Sequence, residues 1–162
     1  MTIGDVLDRH PVALDFLRAF GVRYYYSRGA PDTPWADMRR LGVDCSGFVQ
    51  MAWVRAGIYR SSEPDRKATV SVPGRLSLAD ICIETKVPKF GDVAIYPGHV
   101  MFVLDETWVI GASGGTSTTY GDDPRACVAL HRFDYRRDFL CFGTLKPEHR
   151  RSDFADDTTP TT

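Results

Sequence analysis

The sequence predicts an α+β domain, on three observations. Apolar residues recur at helical spacing in the first third of the chain. Short apolar stretches separated by turn residues follow Pro88. With 43% hydrophobic residues in 162, the chain is long enough for one domain with a substantial core. Twenty Lys and Arg against twenty-one Asp and Glu give a formal net charge of −1, which does not indicate nucleic-acid binding or attachment to an anionic membrane. No apolar run approaches the roughly 20 residues of a spanning helix. Met1-Thr-Ile-Gly-Asp-Val lacks a basic start followed by an apolar stretch, so no signal peptide is read. That leaves a cytoplasmic location, carriage with a virion, or export by another route.

A first helix is expected over Pro11–Phe20, where Val12, Phe16 and Phe20 form one face, Pro11 suits the first turn and Gly21 the exit. Arg23–Leu41, rich in aromatics, Pro, Gly and Arg, has no steady period and reads as an irregular loop. Phe48, Val49, Ala52, Trp53 and Ala56 define a second helix that begins at Asp44-Cys45-Ser46 and stops at Gly57. Tyr59–Pro88 is mixed, with one short helix over Leu78–Ile83. About five strands of an antiparallel sheet follow: Val93–Tyr96, His99–Leu104, Trp108–Ala112, Cys127–His131 and Phe139–Leu145. Pro97-Gly98 suits a tight turn, and Asp105-Glu106-Thr107 the turn of a hairpin. Residues 1–147 form a single domain in this reading. Residues 148–162 are a polar, Thr- and Asp-rich tail expected to fray.

Of four cysteines, Cys82, Cys127 and Cys141 lie among apolar neighbours and read as small buried hydrophobes, and none of the four has metal-ligand spacing. Neither a metal nor a cofactor is expected. Cys45 differs, being flanked by Asp44, Ser46 and Gly47. A thiol attacks as thiolate, and a helix N-terminus stabilises that anion through its dipole and unpaired N–H groups. An imidazole can complete the nucleophile by taking its proton. His10 and His149 read as solvated and His131 as a strand-edge residue. His99 follows the Pro-Gly turn and opens an apolar strand, where a polar side chain faces a cleft or the sheet end. Cysteine on a helix start followed by histidine on a sheet is the order of papain-like nucleophilic sites.

At these residues the chain resembles a family. Gly42-Val-Asp-Cys-Ser-Gly-Phe-Val49 resembles the cysteine signature of the NlpC family, papain-like cysteine peptidases that cut bacterial cell-wall peptides. Phe90-Gly-Asp-Val93 looks like its Gly-Asp strand entry, and Gly98-His-Val100 like its catalytic His-Val step. Gly21-Val-Arg-Tyr24 resembles the Gly-x-Pro-Tyr segment upstream. The motifs run in the right order across about residues 12–145.

The resemblance implies a papain-like NlpC-type fold and a Cys-His acyl-enzyme mechanism on an amide bond of a peptidoglycan stem peptide. Cys45 would be the nucleophile and His99 the general base and acid. Asp44 and Ser46 match positions that hold a substrate's free amine, Tyr24 a tyrosine lining the cleft, and Asp92 a structural residue. The chain departs from the family about twelve positions past His99, where a polar residue usually orients the imidazole. Here that residue is Gly111. If Asp105–Thr107 forms a three-residue turn, His99 lies opposite Ser113, and residues 99, 111 and 113 share one face. Ser113 is then the expected third member, ahead of a main-chain carbonyl or a water. Two other readings use the same residues. One is an acyltransferase or amidase with the same Cys-His pair; the other is a catalytically retired domain that binds wall peptides or serves in a phage tail. For a hydrolase without a signal peptide, a phage tail or lysis assembly is the partner that would bring it to the wall.

Overall fold

The structure is a computed structural model that describes residues 2–26, 35–59 and 81–151, with the side chains of 35–37 left aside. Among the described residues, four α-helices precede six strands: α1 (Ile3–Arg9), α2 (Ala13–Leu17), α3 (Trp35–Leu41), α4 (Cys45–Arg55), β1 (Cys82–Thr85), β2 (Val93–Tyr96), β3 (His99–Val103), β4 (Trp108–Ser113), β5 (Cys127–Arg132) and β6 (Cys141–Leu145). The strands form one sheet in the order β1-β6-β2-β3-β4-β5, every neighbouring pair antiparallel. The α+β expectation holds, with six strands in place of five.

The helix bearing Cys45 begins where the sequence places it. Asp44 is its N-cap, with Oδ1 accepting the Gly47 N–H at 2.7 Å, so an otherwise unpaired donor of the first turn is satisfied. Every residue from Cys45 to Trp53 is buried, with α4 packed against β3 and β4 of the sheet. Trp53 Nε1–H donates to the Gly91 carbonyl at 2.8 Å and ties α4 to the entry of β2. Phe16 of α2 packs edge-on against Phe48 of α4 and Phe102 of β3.

Strand alternation divides the core in two. Val93, Ile95, Val100, Phe102, Leu104, Ile110 and Ala112 face the helices. Ala94, Tyr96, Met101, Val103, Val109 and Phe142 face the other way, beneath Phe133, Tyr135 and Phe139 of the segment linking β5 to β6. The hairpins hold that alternation in register. Tyr96 pairs with His99 across Pro97-Gly98, and Gly98 supplies the positive φ of 64° that this turn needs in its third position. Asp105 Oδ1 accepts from the N–H groups of Thr107 and Trp108, and Leu104 N–H donates to the Trp108 carbonyl at 2.9 Å. Phe102 opposite Ile110 and Val103 opposite Val109 give the register expected from a three-residue turn.

Several expectations are corrected. The helix expected over Pro11–Phe20 is the five-residue α2, and α1 before it leaves no mark in that expectation. Helix α1 is set by a capping box in which Thr2 Oγ1 accepts from Asp5 N–H and Asp5 accepts from Thr2 N–H, with Val6 its only buried residue. The end of the expected loop is helix α3; residues 27–34 lie outside the described residues. Cys82 and Ile83, placed in a helix, belong to edge strand β1, while 78–80 lie outside the described residues. The first residues of the expected tail are docked. Arg150 bridges to Tyr59, Arg151 N–H donates to the Ile58 carbonyl, and His149 stacks on Tyr59. Residues 152–162 lie outside the described residues.

Candidate active site

Cys45 opens α4, 8% exposed, with the backbone N–H groups of Val100 and Ser46 and the Tyr24 hydroxyl near enough to favour its thiolate. The start of β3, where His99 precedes Val100, therefore abuts the start of the helix. Burial dominates the thiol's acidity, with the Asp44 carboxylate adding to it. Together they outweigh the three donors and push the thiol up to about 11. All four cysteines are free thiols.

His99 is partly buried and its ring lies among aromatics. Its Nε2 is 2.7 Å from the Tyr135 hydroxyl, and its ring is tilted against Tyr96 with centroids 5.3 Å apart. Burial, then the Arg136 guanidinium nearby, hold this histidine down to about 3. In the unliganded molecule, Cys45 and His99 thus rest as a neutral thiol and a neutral imidazole at pH 7. Among the described residues the hydrogen-bond partner of the His99 ring is Tyr135.

Tyr135 sits in the 3₁₀ turn after β5 (Phe133–Tyr135). Its ring stacks on His131 at 4.1 Å between centroids and 10° between planes, and packs edge-on against Tyr96. Ser113 lies close enough to the Tyr135 hydroxyl to favour its ionised form, and Ser113 Oγ lies 3.1 Å from His131 Nε2. Four side chains from β3, β4, β5 and the following turn thus form one polar group, near enough to Cys45 for its charge to act on Tyr135.

A model of the NlpC/P60 family matches residues 21–128, two thirds of the chain. The chain belongs to the NlpC/P60 family. A curated relative, dipeptidyl-peptidase 6 of Lysinibacillus sphaericus, is 29% identical over 113 residues. That stretch covers 68% of this chain and 38% of the relative, so the chain spans well under half of that protein's length. The crystal structure of a P60 domain from an antigen of M. avium subspecies paratuberculosis aligns with a TM-score of 0.56 at 18% identity. It covers 89% of this chain and 97% of the other, a likeness of fold.

In this NlpC/P60 chain, the position where the family usually carries a polar third residue is closed. Gly111 lies opposite Met101 when the β3–β4 register is continued, and a Cβ on it would stand 2.8 Å from the Met101 sulfur. The space expected to be a gap is filled by a thioether. Ser113, the expected substitute, lies beside Tyr135 and bonds His131, and Tyr135 in turn meets His99. Sequence reasoning missed Tyr135 and read His131 as an edge residue. The signal within reach was the run His131-Arg-Phe-Asp-Tyr135, which sets polar rings at the end of a strand neighbouring the site.

Around the cysteine, the other anticipated residues cluster. Tyr24 is held by an N–H bond to the Ala126 carbonyl, and its ring lies so close over Gly115 that a side chain there would collide with it. Burial, with Cys45 and Asp44 nearby, keeps its hydroxyl protonated far above neutral pH, so it acts at the sulfur as a donor. Ser46 and Asp44 are both buried, with Ser46 Oγ 3.4 Å from Asp44 Oδ1. Asp92 accepts from Lys89 N–H and from Thr144 Oγ1, both at 2.9 Å, which pins the entry of β2 to β6. His10, read as solvated, stacks on Phe90 at 3.9 Å.

Proposed function

We propose that this chain is a cysteine peptidase that cleaves an amide bond of a peptidoglycan stem peptide, with Cys45 as nucleophile and His99 as general base and acid. The observation that carries the reading is Cys45 at the start of a capped helix, with the Val100 and Ser46 N–H groups near enough to favour its thiolate. Membership in the NlpC/P60 family supports it. With Nε2 of His99 engaged by Tyr135, Nδ1 would be the nitrogen to exchange a proton with the thiol.

Because both groups rest neutral, the proton leaves sulfur as the bond to carbon forms, rather than beforehand. The Cys45 sulfur adds to the substrate carbonyl, its proton passes to His99, and the carbonyl pair moves onto oxygen. The Cys45 backbone N–H would donate to that oxyanion. The imidazolium then protonates the leaving amine as the C–N bond breaks, and water releases the acyl group by the reverse sequence. Asp44 and Ser46 would hold the free amine of a short peptide, and Tyr24 would line the cleft. Ser113 would act behind the imidazole. The name of the relative, a dipeptidyl peptidase, fits a substrate read from its amino end.

Mass spectrometry of peptidoglycan digests tests the reading. Wild type should release new stem-peptide fragments, while Cys45→Ala and His99→Ala should release none and keep a cooperative thermal transition. Equal digestion by Cys45→Ala would refute it.

A further inference from the structure

We propose that Tyr135 is the positioning residue for His99 in this chain, and that Ser113 and His131 hold it as the rear of a hydrogen-bonded relay. The inference rests on the peptidase reading above and deepens it. Three observations carry it.

First, the group is in contact. The Tyr135 hydroxyl is 2.7 Å from His99 Nε2, within the range of a strong O···N hydrogen bond. Second, the position from which a neighbouring-strand side chain would reach His99 is closed, because any Cβ at Gly111 meets the Met101 sulfur and Met101 is fully buried. Third, Tyr135 is itself fixed. Its ring is stacked on His131 and edge-on to Tyr96, and Ser113 lies beside its hydroxyl.

Donors and acceptors can be counted along the relay. We assign the directions so that His99 Nε2–H donates to the Tyr135 oxygen, Tyr135 O–H to Ser113 Oγ, and Ser113 O–H to His131 Nε2. Every proton has one acceptor, and the chain ends on a neutral imidazole. Burial keeps His131 below its ordinary value, which suits it to accept. In this direction His99 carries its proton on Nε2, so the Nδ1 lone pair is free to take the Cys45 proton. When the imidazolium forms, the tyrosine oxygen faces its Nε2–H. The reversed chain would put the proton of His99 on Nδ1 and leave no base for the thiol. Tyr135 thus selects the tautomer of His99.

The test uses the intact chain and two readouts. Tyr135→Phe keeps the ring and its stacking but removes the hydroxyl. It should lower kcat on a stem peptide by about tenfold to hundredfold with KM unchanged. Ser113→Ala, one step further back, should cost about tenfold or less. Independently of turnover, ¹⁵N NMR of the wild-type imidazoles should find His99 protonated on Nε2, and Tyr135→Phe should give a mixture of tautomers. Wild-type kcat in Tyr135→Phe, or a wild-type His99 protonated on Nδ1, overturns the proposal. Should Tyr135→Phe not fold, Ser113→Ala and the wild-type tautomer decide it. Absence of any peptide turnover in wild type would defeat the peptidase reading, while the NMR result would still judge the relay.

Discussion

The Tyr135 hydroxyl meets His99 Nε2 from the turn after β5, although β4 lies between β3 and β5 in the sheet. It can do so because β4 presents only Gly111 and Ser113 on that face near His99, one without a side chain and one with a short one. The segment from Phe133 to Phe139 folds back over the sheet, secured by Tyr96 Oη–H donating to the Phe133 carbonyl at 2.6 Å. The Arg136–Asp138 ion pair closes its outer edge at 2.6 Å, with the guanidinium 5.4 Å from the Tyr96 ring centre. The small residues of β4 and the aromatic cover are complementary parts of one packing solution.

Gly111 should therefore resist substitution. A methyl group at this site would stand 2.8 Å from the Met101 sulfur, inside normal contact, in a region with no exposed space to yield into. Gly111→Ala should destabilise by about 1–3 kcal/mol, as overpacking of a close-packed core does. Combining it with Met101→Ala should cost less than the two single changes added together, because each relieves the other. Urea denaturation of the three variants measures this, and strict additivity would count against the contact.

How much of this was legible in the sequence depended on whether the signal was local. Asp44-Cys45-Ser46 marks a helix start by side-chain chemistry alone, and α4 begins there. The β3–β4 register follows from turn length and alternation, both local. Helix α3 and strand β1 left weaker marks. In β1 only Cys82 is buried, so an edge strand with almost no buried face shows no alternation to read. The capping box of α1 was readable in Thr2 and Asp5, but a seven-residue helix burying one side chain carries little apolar period. Tyr135 is a different case. It lies 36 residues from His99, and which ring of an aromatic run folds back onto a histidine is decided by tertiary packing.

Cys45 should alkylate slowly at neutral pH and without a low-pH plateau. With the thiol at about 11 and the imidazole at about 3, no thiolate–imidazolium pair is populated between those values in the unliganded protein. The thiolate fraction then rises about tenfold per pH unit from pH 6 to 9. Site-resolved mass spectrometry after iodoacetamide pulses should show that slope at Cys45. A rate independent of pH between 5 and 7 would reveal a preformed ion pair and overturn the neutral ground state.

Asp92 should make stability depend on pH in a sense opposite to most carboxylates. Its backbone and Thr144 partners favour the charged form, but burial outweighs them and lifts the folded value to about 6 from an ordinary 3.8. Between those values the native state holds more protons than the unfolded one, so this group's contribution is fully present below the lower value and is lost as pH rises through about 6. His99 acts the other way. Its folded value is depressed to about 3 from 6.5, so its contribution is present above 6.5 and is lost as pH falls towards 3. A comparison of wild type with Asp92→Asn isolates the first effect, since every other group cancels. Relative to wild type, Asp92→Asn should gain stability steadily from pH 4 to pH 7 in urea titrations, whatever its absolute cost from the altered hydrogen bonds. A difference between the two proteins that stays constant across that range would show that Asp92 titrates at its ordinary value, and that its burial is offset by its partners.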